Sequence, residues 1–210
     1  MTTMAPGTTR DRRSASRGGQ KPGWIVIARH GQPDADRTVK LTSSQYADWW
    51  SAYDRTGLKA GETPPECLLH YGRDADVVFA STLPRAMRTA EAAAPGKQII
   101  TDPVFVEAPL PPPPIPGLRT PELWGAWARV SWWFGRHDGQ ESRQQAELRA
   151  EAAAATLVSR ALRGENVLLC AHGWFNRMMR PVLRAQGWRE IENKGDKYWS
   201  HRRYEYEKVK

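Results

Sequence analysis

Three short stretches of the 210-residue chain carry residues that could do chemistry together: Arg29-His30-Gly31, Ser81-Thr82 with Arg85 close behind, and His172-Gly173. Two guanidiniums and two imidazoles suit a phosphate monoester, which holds close to two negative charges near neutral pH. Guanidiniums offer planar forks that bind its oxygens. A neutral imidazole is a competent nucleophile toward phosphorus. A second imidazole, if protonated, adds charge to the in-line transition state, and phosphoryl transfer depends mainly on positioning and electrostatic stabilisation. The departing alkoxide also needs a proton. Glu107, directly after Val104-Phe105-Val106, is the leading donor, with Asp34, Asp36 and Glu91 as rivals. Each group also has a plainer reading as a polar residue that ends a strand at the surface. The chemistry requires that they meet.

The elements around them can make them meet. Trp24-Ile25-Val26-Ile27-Ala28 is a continuous apolar run that stops at Arg29-His30, as a buried parallel strand would. Asp76 to Ser81 and Val167 to Ala171 repeat the pattern, ending at Ser81-Thr82 and at His172-Gly173. Pro84 opens an alanine-rich helix to about Ala94, so Arg85 falls in a first helical turn, where unpaired amides favour anions. Ligands of open α/β sheets bind beyond the carboxyl ends of the strands. Further helices are expected at Leu41–Gly57, Glu66–Tyr71, Gln140–Arg163 and Trp174–Gln186. Gln98–Thr101 reads as a short strand and Val104–Val106 as extended chain. An alternating strand near Arg203–Glu207 is placed at a sheet edge. Strands alternating with helices predict an α/β fold, a three-layer αβα sandwich with a mostly parallel central sheet.

Residues 1–22 are rich in Arg, Thr, Ser and Gly without an apolar centre, and read as a disordered basic tail. That stretch supplies about half of the net charge of +8. No motif for nucleic acid accompanies the charge, so an anionic small molecule is the favoured partner. Residues 23–210 read as a single domain. The prolines from Pro109 to Pro116 enforce a stiff extended loop. Residues 108–139, with Trp124, Trp127, Trp132, Trp133 and Phe134, are expected to form a lid insertion over the sheet edge. Their aromatics could equally pack the core or a dimer surface. No apolar run reaches membrane-spanning length. Cys67 and Cys170 fit neither a zinc pattern nor a disulfide framework, which points to the cytoplasm. His70, His137 and His201 read as surface or structural residues. No metal site is expected, because neutral imidazoles flanked by arginines hold a cation poorly.

The three stretches, in this order and each after its own strand, resemble the histidine phosphatase superfamily, with its phosphoglycerate mutase-like fold. Arg29-His30-Gly31, Ser81-Thr82-Leu83-Pro84-Arg85-Ala86 with Thr89-Ala90, and Ala171-His172-Gly173 are similar to its motifs, and the resemblance spans about Trp24 to Trp188. It implies that His30 is the phosphorylated nucleophile and that Arg29 and Arg85 clamp the phosphate. It makes His172 the second pocket histidine, helped by the Gly173 amide, and Glu107 the proton donor. Two departures stand out. The family segment around the glutamate usually has an arginine before it, where Val106 stands here. The asparagine six residues past the nucleophile is replaced by Asp36, which is expected to point away from phosphate.

The resemblance implies a phosphatase acting on a small phosphomonoester through a phosphohistidine, without a cofactor. One alternative is a module that binds a phosphorylated ligand with little turnover. A phosphoglycerate-type mutase is a weaker one. Partners are limited to a small phosphorylated substrate, with no nucleic acid and no membrane, and a homodimer is left open.

Overall fold

A computed structural model describes residues 21–207, so the basic tail read at residues 1–22 lies almost wholly outside the described residues. Twelve helices and strands follow one another among the described residues. They are β1 (Ile25–Arg29), α1 (Ser43–Tyr53), α2 (Glu66–Asp74), β2 (Val77–Ala80), α3 (Pro84–Ala93), β3 (Ile99–Thr101), α4 (Pro121–Trp133), α5 (Arg143–Ala161), β4 (Val167–Ala171), α6 (Gly173–Ala185), β5 (Trp188–Asn193) and β6 (His201–Tyr206). The strands form one sheet in the order β3-β2-β4-β1-β6-β5. β3, β2, β4 and β1 run parallel, and β6 and β5 are antiparallel.

Alternate residues of one buried strand serve two faces. Ile25 and Ile27 pack with the apolar side of α5 and α6, through Leu157, Phe175 and Met179. Val26 and Ala28 pack on the other face with Leu68 of α2 and Ala90 of α3. The fold is therefore the three-layer αβα arrangement expected from the sequence. The close approach of α2 and α3 depends on Gly72, where a Cβ would sit 1.8 Å from the Ala93 carbonyl oxygen.

Four local expectations are corrected. The helix placed at residues 41–57 starts after Thr42, whose hydroxyl and Gln45 form a reciprocal cap. It ends at Tyr53, well before Gly57, because the Arg55 and Thr56 amides close tighter three-residue turns onto the Ala52 and Tyr53 carbonyls. Pro103–Phe105 is a 3-10 turn rather than extended chain, set by the Asp102 carboxylate accepting from the Val104 amide at 2.8 Å. β6 is an interior strand. The edge on that side of the sheet is β5, Trp-Arg-Glu-Ile-Glu-Asn, whose charges hide it from a hydrophobic reading and suit an exposed edge. Finally, α4 does not cover a sheet edge. It packs on α1 through Trp124 and Tyr46, and its first turns face the carboxyl ends of the strands.

Candidate active site

Strand register brings the two histidines together. β1 and β4 pair from Ile25↔Val167 to Arg29↔Ala171, and the His30 amide extends the ladder to the Ala171 carbonyl at 2.9 Å. The next residue on each strand is a histidine, and the two rings lie 5.2 Å apart between centroids. Both are buried. His30 Nδ1 lies 2.7 Å from the Gly31 carbonyl oxygen. A carbonyl only accepts, so Nδ1 carries the proton and Nε2 keeps its lone pair. The turn itself requires glycine, since a Cβ on Gly31 would fall 2.3 Å from the Trp199 ring. The Gly31 amide donates to Thr89 Oγ1, whose hydroxyl donates to the Arg85 carbonyl. Thr89 of α3 thus ties the turn after His30 to the helix that carries Arg85.

Ser81, at the end of β2, sits beside β4, its amide bonded to the Cys170 carbonyl. Its Oγ accepts from the Leu83 amide at 3.3 Å and lies 2.8 Å from His172 Nε2. The Ser81 hydroxyl and His172 Nε2 share one proton, and which of them donates follows the tautomer of the ring. His172 Nδ1 is buried with no partner among the described residues.

The arginines are held by different partners. Arg29 donates to the Asp196 carbonyl oxygen at 2.6 Å and stacks 4.5 Å over the Tyr198 ring. Asp196 is itself gripped by Arg177, Arg180 and Arg202. Burial would raise its carboxyl, but these arginines outweigh that and hold it near 2. Arg85 is 1% exposed, donates to the Tyr53 carbonyl at 3.2 Å and to Asp54 Oδ1 at 3.0 Å, and lies 4.5 Å over the Tyr53 ring. The Nε atoms of Arg29 and Arg85 are both buried without a partner among the described residues. Gly173 opens α6 beside Arg29, where a Cβ would sit 3.1 Å from Arg29 Nε.

Glu107 is half-buried and caps α6. Its Oε1 accepts from the Phe175 amide at 2.8 Å and the Ala108 amide at 3.0 Å, and its Oε2 accepts from the Trp174 amide at 3.1 Å. Arg149 of α5 holds the preceding turn by the Val104 and Val106 carbonyls, and Arg129 of α4 holds the Ala108 and Pro109 carbonyls. Arginines from two helices therefore surround a glutamate whose sequence neighbour is Val106. A cavity of about 230 Å³ is lined by Arg29, His30, Arg85 and Glu107 together with residues of α1 and α4. His172 and Gly173 adjoin it through Arg29 and His30.

The rival acids lie elsewhere. Asp36 is exposed and accepts from the Thr38 amide and hydroxyl, turned from the cavity. Glu91 pairs with Arg88 at the surface, and Asp34 is exposed. His70 and His137 are exposed, and His201 is buried against Tyr71. The sequence reading missed Tyr53, Asp54, Tyr198 and Arg37, which frame Arg29 and Arg85. Arg37 had one visible signal, being the basic residue that ends the polar loop after His30.

Burial, then Arg85 and Arg29, push the pKa of His30 well below the usual histidine value, so it stays neutral at pH 7. Burial, Arg85 and His30 do the same to His172, which disfavours the protonated second imidazole that would add charge. Both shifts bear on stability. The unfolded chain takes up these protons near pH 6.5 and the folded chain only well below it, so stability present above pH 6.5 is lost as pH falls. Each histidine contributes a slope of up to about 1.4 kcal/mol per pH unit in that window. Urea unfolding at pH 7.5 and pH 5.5 is expected to show this decline, made shallower by His30→Gln. A slope unaltered in that variant would show that His30 titrates normally in the fold.

Two buried histidines and two arginines at the carboxyl ends of a parallel sheet define a class of phosphate-handling α/β proteins. Residues 25–208 match the histidine phosphatase superfamily (branch 1), and the chain belongs to that family. A 2,3-bisphosphoglycerate-dependent phosphoglycerate mutase of Rhizobium rhizogenes is 29% identical over 165 residues, 72% of this chain and 74% of that protein. Among solved structures, mycobacterial hydrolase 2 has a TM-score of 0.54 at 22% identity, over 78% of this chain and 73% of its own. Phosphoserine phosphatase of Entamoeba histolytica, solved with 3-phosphoglyceric acid, has a TM-score of 0.51 at 14% identity, over 78% and 80%. These structures share the fold. No helix among the described residues is long and apolar enough to cross a membrane.

Proposed function

We propose that this protein is a phosphatase that hydrolyses a small phosphomonoester through a phosphohistidine on His30. The observation that carries the reading is the pair of imidazoles, 5.2 Å apart, with the His30 Nδ1 proton committed to Gly31 and Nε2 left as nucleophile. Nε2 attacks phosphorus as the bond to the leaving oxygen breaks. Arg29 and Arg85 neutralise the equatorial oxygens, their Nε donors having no partner among the described residues, and His172 stands beside them as the second pocket histidine. The Gly173 amide, at the first turn of α6, supports the same anion. Glu107 supplies the proton to the leaving alkoxide. Its Oε1 accepts two amides while Oε2 accepts one and keeps a lone pair for that proton. Water then attacks the phosphohistidine, gives its proton back to Glu107, and releases inorganic phosphate and the His30 lone pair. α4 and the proline segment act as the lid of a single domain. Cys67 and Cys170, both unpaired, support a cytoplasmic setting.

Purified protein is expected to hydrolyse p-nitrophenyl phosphate and to be inhibited competitively by vanadate. Stabilisation by phosphate with no turnover of any ester would instead assign a binding module. The Rhizobium relative favours a second reading, in which phosphate returns from His30 to a phosphoglycerate. That cycle needs a phosphohistidine shielded from water. Isomer exchange of 3-phosphoglycerate faster than its hydrolysis, in the presence of bisphosphoglycerate primer, would establish it.

A further inference from the structure

α4 is apolar on two sides. Trp124, Ala128 and Trp132, at i, i+4 and i+8, are fully buried against the rest of the domain. Trp124 Nε1 donates to the Leu41 carbonyl and Trp132 Nε1 to the Glu141 carbonyl, which fixes that side inward. The other side carries Leu123, Trp127, Val130 and Phe134, which are 53%, 50%, 57% and 84% exposed. Ala126 and Trp133 flank them and are exposed as well. Arg129, the one charged residue between Glu122 and Arg136, turns inward to the Ala108 and Pro109 carbonyls. A helix that is hydrophobic on both sides calls for a cover on both.

The spacing of the outer side identifies that cover. Steps of four, three and four residues make the apolar seam of two packed helices. They also read the same in both directions. A second α4 laid antiparallel across a two-fold axis sets Leu123 against the partner's Phe134 and Trp127 against the partner's Val130. Each seam residue then meets another seam residue, the self-complementarity that a two-fold interface between identical chains requires. The six apolar side chains of this side expose roughly 600 Å² per copy, so pairing covers roughly 1,200 Å² in all, the lower end of a specific interface. Where the partner's Leu123 arrives, a groove of about 450 Å³ is lined by Trp133, Phe134, His137 and Arg143. Residues 1–20 contain no apolar run that could fill the face instead.

We propose that this protein is a homodimer joined by antiparallel packing of the outer sides of two α4 helices. Pro121 and Gly125 of the same helix line the cavity beside His30, so each copy braces a wall of the other's site without entering it.

The test is sedimentation velocity of the full chain across the micromolar range. A dimer is expected, and Trp127→Glu should raise its Kd by at least about 100-fold, because the residue enters a two-fold interface twice. Val130→Lys, on the same seam, should act alike, and circular dichroism of both variants confirms that the fold is kept. Cross-linking in a Cys67→Ser background reads the register, since Cys170 is buried. Leu123→Cys mixed with Phe134→Cys should form disulfides between unlike chains, and neither variant should do so alone. A monomer throughout, a dimer untouched by either seam variant, or cross-links between like chains would overturn the pairing. So would a monomer that binds vesicles of phosphatidylcholine and phosphatidylserine through Trp127, which would assign the face to a membrane surface.

Discussion

His30→Ala is expected to lower kcat on p-nitrophenyl phosphate by at least about 10³-fold, the scale seen when a covalent nucleophile is removed. His30 has its Nδ1 proton committed to the Gly31 carbonyl and lies close enough to Arg85 and Arg29 for both to lower its pKa. The variant also separates nucleophile from binding site. The imidazole it removes is held neutral, so Arg29 and Arg85 keep their charge and their contacts to Asp196, Tyr53 and Asp54. Vanadate affinity should therefore persist within about 10-fold while turnover disappears, since much of the anion binding comes from the guanidiniums. Rapid acid-free quenching of the wild type with radiolabelled substrate should trap a base-stable, acid-labile phosphoenzyme on the peptide containing His30. Robust turnover in His30→Ala, or label recovered on the His172 peptide alone, would reverse the roles of the two histidines.

The nearness of His30 and His172 could be inferred from residue order because parallel strands buried on both faces announce themselves as apolar runs. Their carboxyl ends share one side of the sheet. That logic does not reach the residues that hold the arginines in place. Tyr53 belongs to an aromatic stripe on α1 whose period predicts packing, and Tyr46 and Trp50 do pack. The same period cannot say that the last member of the stripe meets Arg85. Tyr198 and Asp196 lie in the loop between β5 and β6, and a charged edge strand leaves no apolar trace to locate that loop. Arg29 is tied to Asp196 across 167 residues of sequence, a contact that only the completed antiparallel edge creates. The Glu107 assignment came from the family likeness and from its position after an apolar segment. Its cap on α6 depends on the 3-10 turn that replaced the expected extended chain.

That cap makes Glu107 the residue with two competing roles, and Glu107→Gln distinguishes them. As proton donor, Glu107 matters only for a leaving group that cannot depart as an anion. Its loss should slow an alkyl phosphate by about 10²- to 10⁴-fold and p-nitrophenyl phosphate far less, because p-nitrophenolate leaves without a proton. As a cap, the side chain serves the Trp174 and Phe175 amides, which orient the first turn of α6 next to His172. Glutamine keeps one carbonyl oxygen for those amides, so the stability cost should stay near the 0.5–2 kcal/mol scale of a weakened helix cap, about that much in the urea unfolding free energy. A purely positional role would slow both esters by the same factor, with no dependence on leaving-group basicity. Equal losses on the two esters would transfer the donor role to another group on the cavity and leave Glu107 as the brace of α6.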